Sequence, residues 1–228
     1  MKKILMVLTN NGQYGTYNEA TGLWLKEATE FVSLVNKQGF QVDYVSPEGG
    51  YVPIDPRSLK KIYTSKEDMS VYLSEDFKTR ALANSLSPKE VNADEYVAIY
   101  YAGGHGVVWD FPNNKELQNL SMKIYNNGGY VTSVCHGVAG LLNIKDEKGE
   151  YLIAGKTITG FTQTEELLSG KNSLVPFETE KEVKIRGANF VKKMFFTKHA
   201  VQDGRLITGQ NPMSGGKVAQ LLLENIGE

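Results

Sequence analysis

The chain has 228 residues, of which 41% are hydrophobic and 22% charged, a composition typical of an ordinary globular protein rather than of a disordered segment or a coiled coil. Its 25 basic side chains nearly balance 26 acidic ones, so no strong field favours nucleic acid or an anionic membrane as a partner. The single cysteine excludes an intramolecular disulfide and a cysteine-rich zinc site.

The apolar runs of the sequence are strand-sized, well short of the roughly 20 residues that cross a bilayer. The N-terminal stretch lacks the apolar length and the small-residue cleavage site of a signal peptide. We therefore expect a cytoplasmic protein. Its length suits one α/β domain, which we predict over residues 1–228.

The first third of the chain predicts a strand, a helix and a second strand. "KKILMVLTN" is apolar and closes in turn-forming residues, and apolar positions from Glu19 to Gln38 follow one helical face before Gly39. "FQVDYVSP" is the next strand, followed by a Gly- and Pro-rich stretch without regular structure. Residues 56–95 are polar and partly helical, with Ser74 as an N-cap, and we interpret them as a covering insertion.

The remainder alternates strands with helices. "EYVAIYYAGGHG" and "YVTSVCHG" are apolar strands that end in glycines, separated by the amphipathic "NKELQNLSMKIYNNGG". "KTITGFT" and "GRLITGQ" are further β-rich runs, and a terminal helix starts after Asn211 as N-cap. This alternation predicts a mainly parallel, doubly wound sheet with functional loops beyond the carboxyl ends of its strands, at Asn10, Gly104, His105, Cys135 and Thr162.

Cys135 lies where a strand meets a helix, with Ser133 two residues before it and Gly137 two residues after it. This is close to the pattern of a nucleophile elbow, in which glycine is common at the position of Ser133. A helix N-terminus favours the thiolate through its free N–H groups and dipole. The alternative is a buried, inert cysteine. The second glycine-rich turn, "GGHG", predicts an oxyanion hole built from the backbone of Gly104 and the amide of His136, although such glycines also form ordinary tight turns.

Several strings together resemble the PfpI superfamily, in its branch of heat-shock chaperones and glutathione-independent glyoxalases. They include "TGLWLKEA", "SPEGGYVPIDPRS", "YYAGGHGVVWDFPNN", "SVCHG", "ITGFTQTEE", "VPFETE" and "DGRLITGQNPMS". The resemblance spans nearly the whole chain. It implies a flavodoxin-like sandwich, a homodimer, and a triad of a cysteine, the histidine after it and an acidic residue, with a glutamate from the first helix touching the thiol.

Matched to this sequence, the resemblance implies Cys135 as nucleophile, His136 as base and Glu27 as the helix glutamate. Its triad acid falls in "FTQTEE", where we choose Glu166 over the adjacent Glu165. Without the resemblance, Glu27 is equally well a solvated helix charge, and the two glutamates are ordinary first-turn acids that complement a helix dipole. His105 lines the pocket or braces its own loop. His199, outside every motif, is expected to be structural.

The implied reaction converts an α-oxoaldehyde such as methylglyoxal to lactate through a cysteine hemithioacetal. It requires no glutathione, metal or nicotinamide, in keeping with a sequence that contains no cofactor motif. A related hypothesis makes glycated proteins or nucleotides the substrate. From other classes come a holdase chaperone that binds unfolded proteins through apolar side chains of segment 56–95 and a thiol redox sensor.

Overall fold

The structure, a computed structural model, describes residues 2–227. A central six-stranded sheet has the order β2-β1-β3-β4-β8-β7. Its members are β1 (Lys3–Val7), β2 (Gln41–Val45), β3 (Tyr96–Tyr101), β4 (Tyr130–Val134), β7 (Ala200–Asp203) and β8 (Leu206–Gly209). All neighbours pair in parallel except β7, which is antiparallel to β8 at one edge. The predicted doubly wound, mainly parallel sheet is confirmed.

Helices cover both faces of this sheet. They are α1 (Leu25–Lys37), α2 (Lys66–Leu73), α3 (Val107–Asp110), α4 (Lys115–Asn126), α5 (Gln163–Ser169), α6 (Thr179–Ile185) and α7 (Gly215–Ile226). Because side chains alternate along a strand, Ile4 and Met6 of β1 pack with α1 and α7, whereas Leu5 and Val7 pack with α4 on the opposite face. None of the helices within residues 2–227 combines the length and the apolar composition needed to span a bilayer.

The first helix begins later than predicted, at Leu25 instead of near Glu19. The preceding residues are held extended against residues 53–55, because Leu23 donates its N–H to the carbonyl of Pro53 and its own carbonyl accepts from Asp55. Gly22 has a φ of 146° there, and a Cβ at this position would lie 2.3 Å from the Pro53 carbonyl oxygen. These long-range contacts override the helical periodicity of the sequence.

The C-terminal helix also begins later than expected. Ser214 precedes its first residue, Gly215, and Asn211 caps the turn before it, with Oδ1 accepting from the N–H of Met213 at 3.0 Å. The Nδ2 of Asn211 donates to Glu165 and to the carbonyl of Thr197. Asn211 is thus occupied by tertiary contacts, and the predicted N-cap position is wrong.

Segment 56–95 contains α2, a π-helix and three short 3-10 turns, at Pro56–Leu59, Pro88–Glu90 and Ala93–Glu95. Ser65 and Asp68 form a capping box at the start of α2, a signal that the sequence interpretation passed over. Ser74 ends α2 and accepts a hydrogen bond from the N–H of Phe77 at 3.2 Å. It therefore caps the helical turn at residues 75–76 that continues into the π-helix over Phe77–Ala83. The single-domain organisation with a covering insertion stays a prediction.

"KTITGFT" does not join the main sheet. Its strand β5 (Thr157–Ile158) pairs in parallel with β6 (Asn189–Phe190) in a separate two-stranded sheet. Thr162, four residues beyond Ile158, caps α5. This small sheet therefore carries α5, with its two glutamates, to the carboxyl end of β4.

Candidate active site

Cys135 occupies a strained turn at the end of β4. Its φ is 57°, in the left-handed region, and a run of 3-10 turns over Cys135–Leu141 follows at once. A non-glycine residue in that region costs of order 1–3 kcal/mol and is retained where the surroundings impose it. Only 2% of the residue is exposed, yet it lines a cavity. The strand, the sharp turn and the helical run together form the predicted elbow.

Glu27 lies beneath the thiol, at the start of α1. It is fully buried, and its Oε2 accepts a hydrogen bond from the N–H of Gly103 at 2.7 Å. Burial raises its pKa to about 8, against the opposing hydrogen bonds of Gly103 and of the Cys135 thiol. A Cβ at position 103 would lie 2.6 Å from Oε2, so glycine is required for this contact. The carboxyl is therefore mostly protonated at neutral pH.

The packing of Phe31 and Tyr100 fixes the position of Glu27. The two rings stack with centroids 3.8 Å apart and planes 12° apart, which holds α1 against β3. The hydroxyl of Tyr100 donates to the backbone carbonyl of Glu27 at 2.8 Å. Glu27 is thus placed by core packing, and the alternative of a solvated helix charge does not describe it.

The thiol differs from the sequence expectation in its electrostatics. Burial and the negative charge of Glu27 raise the pKa of Cys135 well above its usual range, and the N–H of His136 acts in the opposite direction. The favourable N–H group is present as predicted, but burial outweighs it. Because each anion disfavours the other, Glu27 and Cys135 share one negative charge at most.

His136 connects the thiol to Glu166. Its Nδ1 lies 3.5 Å from the Cys135 Sγ, and its Nε2 lies 2.6 Å from Oε2 of Glu166. Burial tends to raise the pKa of Glu166, but charge on His136 and hydrogen bonds from His105 and His136 hold that pKa well below its usual range. An ionised carboxylate therefore accepts the Nε2–H, which leaves Nδ1 facing sulfur.

His105 binds the other oxygen of the same carboxylate, with Nε2 2.8 Å from Oε1 of Glu166. On its far side, Nη2 of Arg57 lies 3.1 Å from Nδ1. A guanidinium only donates, so Nδ1 accepts and the proton of His105 lies on Nε2, directed at Glu166. Burial and charge on His136 lower the pKa of His105 to about 4, which keeps the ring neutral.

Glu165 points the other way and touches neither histidine. Its Oε2 completes a capping box with Thr162. Its Oε1 accepts from the N–H of Phe196 and from the side-chain amides of Gln210 and Asn211. This glutamate is a satisfied structural carboxylate, and the geometry brings Glu166 rather than Glu165 to His136.

The site opens into a cavity of about 430 Å³. Its lining residues are Trp24, Arg57, Lys60, Tyr63, Gly104, His105, Cys135, His136, Phe161, Leu168, Ser169, Phe196, Pro212 and Met213. Gly104 has a φ of 109°, and its N–H forms no hydrogen bond within the described residues. The amide of His136 is directed at sulfur. His199 lies outside the cavity, its N–H bonded to Ser214.

The donor atoms of His105, His136 and Glu166 all lie within 4.8 Å of one another, a spacing that also suits a metal ion. Each imidazole nitrogen that faces Glu166 is already bonded to that carboxylate. The outer nitrogen of His105 is taken by the cationic Arg57. A hydrogen-bond relay satisfies these groups better than a cation beside a guanidinium would.

Sequence reasoning missed several residues of this cavity. Arg57 lies within the quoted "DPRS" string, but nothing local connects it to His105. Trp24 and Phe161 were visible in the motifs without a predicted place in the site. Phe196 is far along the chain and lines the cavity from a loop in which its own φ is 52°. No periodicity or spacing signal could have identified it.

The fold and the site define an α/β protein with a strained, buried cysteine between a protonated carboxyl and an imidazole–carboxylate pair. The family model described as the DJ-1/PfpI family matches residues 20–225, and the chain belongs to that family. This confirms the resemblance drawn from the motifs.

Relatives and solved structures match over nearly the full length. The glutathione-independent glyoxalase HSP31 of Saccharomyces cerevisiae is 37% identical, covering 96% of this chain and 95% of the relative. Glyoxalase 3 of Candida albicans is 33% identical, covering 96% of each. Rapid Encystment Protein 24 kDa of Francisella tularensis has a TM-score of 0.93 at 37% identity over 98% of each chain. The Candida albicans glyoxalase III structure has a TM-score of 0.86 at 30% identity, covering 98% of this chain and 96% of that one.

Proposed function

We propose that this protein is a glutathione-independent glyoxalase that converts methylglyoxal to lactate, with Cys135 as the nucleophile. The observation that carries the proposal is the placement of one buried thiol between the carboxyl of Glu27, whose raised pKa keeps it mostly protonated at neutral pH, and the imidazole of His136. Two relatives at 37% and 33% identity are named as glyoxalases, which supports the same reaction class.

The first step forms a carbon–sulfur bond. The thiol proton of Cys135 moves to Nδ1 of His136, 3.5 Å away, and the sulfur attacks the aldehyde carbon. His136 then gives that proton to the oxygen of the former aldehyde, which yields a neutral hemithioacetal. Glu166, ionised and bonded to Nε2, stabilises the transient imidazolium, as the carboxylate of other triads does.

The second step moves hydrogen from the former aldehyde carbon to its neighbour. His136 takes the C–H proton while protonated Glu27 donates to the ketone oxygen, which produces an enediol. The oxygen on the sulfur-bearing carbon then returns a proton to Glu27, and His136 protonates the adjacent carbon. The product is a thioester of the hydroxy acid, and both acid–base groups return to their starting states.

In the last step, water deprotonated by His136 attacks the thioester carbon. The carbon–sulfur bond breaks, the sulfur recovers its proton, and lactate leaves. The unengaged N–H of Gly104 lines the cavity and is the backbone donor for the oxyanion of this step. The whole sequence consumes one aldehyde and one water.

The test is to incubate purified protein with methylglyoxal in the absence of glutathione and to measure both aldehyde loss and lactate formation. Wild-type protein is expected to form one lactate per aldehyde consumed, and Cys135→Ser is expected to form none while remaining folded. Aldehyde loss without lactate, or equal lactate from Cys135→Ser, would contradict the proposal.

A further inference from the structure

The cavity is larger than a three-carbon aldehyde requires. Its volume is about 430 Å³, within the roughly 300–1,000 Å³ that is typical of pockets for small-molecule ligands. Trp24 and Tyr63 form one wall, with ring centroids 5.2 Å apart, and Phe161 and Leu168 also line it. A substrate that filled this space would carry a chain extending beyond the reacting carbons.

The charged side chains that line the cavity are of one sign. Among its lining residues in the described chain, Arg57 and Lys60 carry full charges and none is a carboxylate. The nearby acids are already engaged, since Asp55 is paired with Arg57 and both oxygens of Glu166 are bonded to imidazoles. An anion entering the cavity therefore meets cations before it meets a carboxylate.

Both cations have hydrogen-bonding capacity to spare. Nε and Nη2 of Arg57 form hydrogen bonds with Asp55, Tyr14 and His105. Its Nη1 forms no hydrogen bond within residues 2–227. Lys60 is exposed and forms no ion pair within the same residues. Because Asp55 compensates Arg57, Lys60 is the uncompensated positive charge at this wall.

We propose that the preferred substrates of this cavity are α-oxoaldehydes longer than methylglyoxal that end in an anionic group, a carboxylate or a phosphate. The aldehyde end reaches Cys135 and the anion reaches Lys60 and Nη1 of Arg57. This inference rests on the proposed glyoxalase function and adds a substrate class to it.

The test compares matched pairs of aldehydes that differ in charge. One pair is dioxopentanoate, a five-carbon α-oxoaldehyde with a terminal carboxylate, and its methyl ester. The other is hydroxypyruvaldehyde with and without a phosphate on its hydroxyl. For each pair, the ratio of kcat/KM for the anion to that for the neutral compound is measured, and the two pairs distinguish carboxylate from phosphate recognition.

In wild-type protein we expect the ratio to exceed one and to fall as salt is raised, because exposed charges are screened. An exposed ion pair is worth up to about 1 kcal/mol, so Lys60→Gln should lower the ratio about three- to fivefold. Lys60→Glu should lower it further. Lys61→Gln is the matched control, because Lys61 is exposed and adjacent but does not line the cavity, and its ratio should equal that of wild type.

This inference is overturned by a kcat/KM ratio near one for both pairs, or by equal effects of Lys60→Gln and Lys61→Gln on that ratio. If methylglyoxal is still turned over in that case, the proposed function stands. If no aldehyde is turned over, methylglyoxal included, the proposed function fails and this inference fails with it. An anion preference for one pair alone supports recognition of that group and excludes the other.

Discussion

The Nε2 atom of His136 lies 2.6 Å from Oε2 of Glu166, while the adjacent Glu165 contacts neither histidine. Consecutive glutamates thus have separate tasks. Glu166 orients the base beside the thiol, and Glu165 ties α5 to the loop of Phe196 and to Asn211.

We therefore expect Glu166→Gln to lower kcat by about 10²- to 10⁴-fold, since an amide disturbs the tautomer of the base. Glu165→Gln should instead lower the free energy of unfolding by about 2 to 4 kcal/mol, because N–H groups bonded to its carboxylate lose an acceptor. Steady-state kinetics and urea unfolding of both variants check this. Equal losses of activity in two equally stable variants would contradict the assignment.

Glu27 predicts a pH dependence of activity. The mechanism uses its protonated form, which predominates below its pKa of about 8, so kcat/KM should decline as the pH rises through about 8. Glu27→Gln has no such titration and should lower the rate without that limb. The pKa of the Cys135 thiol should also be lower in Glu27→Gln than in wild type, because the negative charge of Glu27 raises that pKa. A pH–rate profile and thiolate absorbance of both proteins measure these effects.

Glu27 also predicts a pH dependence of stability. Its pKa rises from 4.5 to about 8 on folding, so the unfolded chain holds fewer protons between those values and stability falls as the pH rises. The loss reaches up to roughly 5 kcal/mol when integrated over that window. Glu27→Gln removes it. Denaturant unfolding from pH 5 to 8 should show wild type losing stability relative to the variant, and parallel curves would refute the burial argument.

The contact of Arg57 with His105 predicts that Arg57 acts on catalysis indirectly, by keeping His105 neutral beside Glu166. It holds Nδ1 as an acceptor, and its removal allows that nitrogen to gain a proton. A cationic His105 would compensate Glu166 and weaken its hold on His136. Activity should fall on the acidic side of the pH–rate profile as His105 gains this proton. Arg57→Leu should therefore move this acid limb of kcat/KM to higher pH, with a smaller shift in Arg57→Lys.

Nitrogen chemical shifts of His105 report its tautomer directly in these proteins. Arg80→Gln is the control, since Arg80 is ion-paired to Asp43 and Asp76 outside the cavity. An unchanged acid limb and an unchanged tautomer in Arg57→Leu would show that the arginine only supports the fold.

The strained backbone at Cys135 makes a prediction about glycine. At a φ of 57°, glycine is free of the penalty that a Cβ incurs. The free energy of unfolding of Cys135→Gly should therefore equal that of Cys135→Ala or exceed it by up to about 1 kcal/mol. Ala139, in the 3-10 run that follows, should show the ordinary order, with Ala139→Gly less stable than wild type. Thermal unfolding of the three variants tests the difference.

Much of the fold was predictable because its signals are local. Apolar runs that end in glycine or asparagine marked β1, β3 and β4, and the amphipathic stretch before Asn127 marked α4. The starts of α1 and α7 were predicted wrongly, since contacts of Leu23 and Asn211 with distant residues outweigh periodicity there.

The sequence by itself determined the alternation of strands and helices, the turn that carries Cys135 and the presence of a histidine beside it, because each depends on neighbouring residues. Tertiary structure alone decided which glutamate faces His136, that Glu27 is buried against Gly103, and that Arg57 reaches His105. The burial and the pKa of a side chain are determined by the residues that pack around it. Segments distant in the chain bring those neighbours together, so no local pattern encodes them.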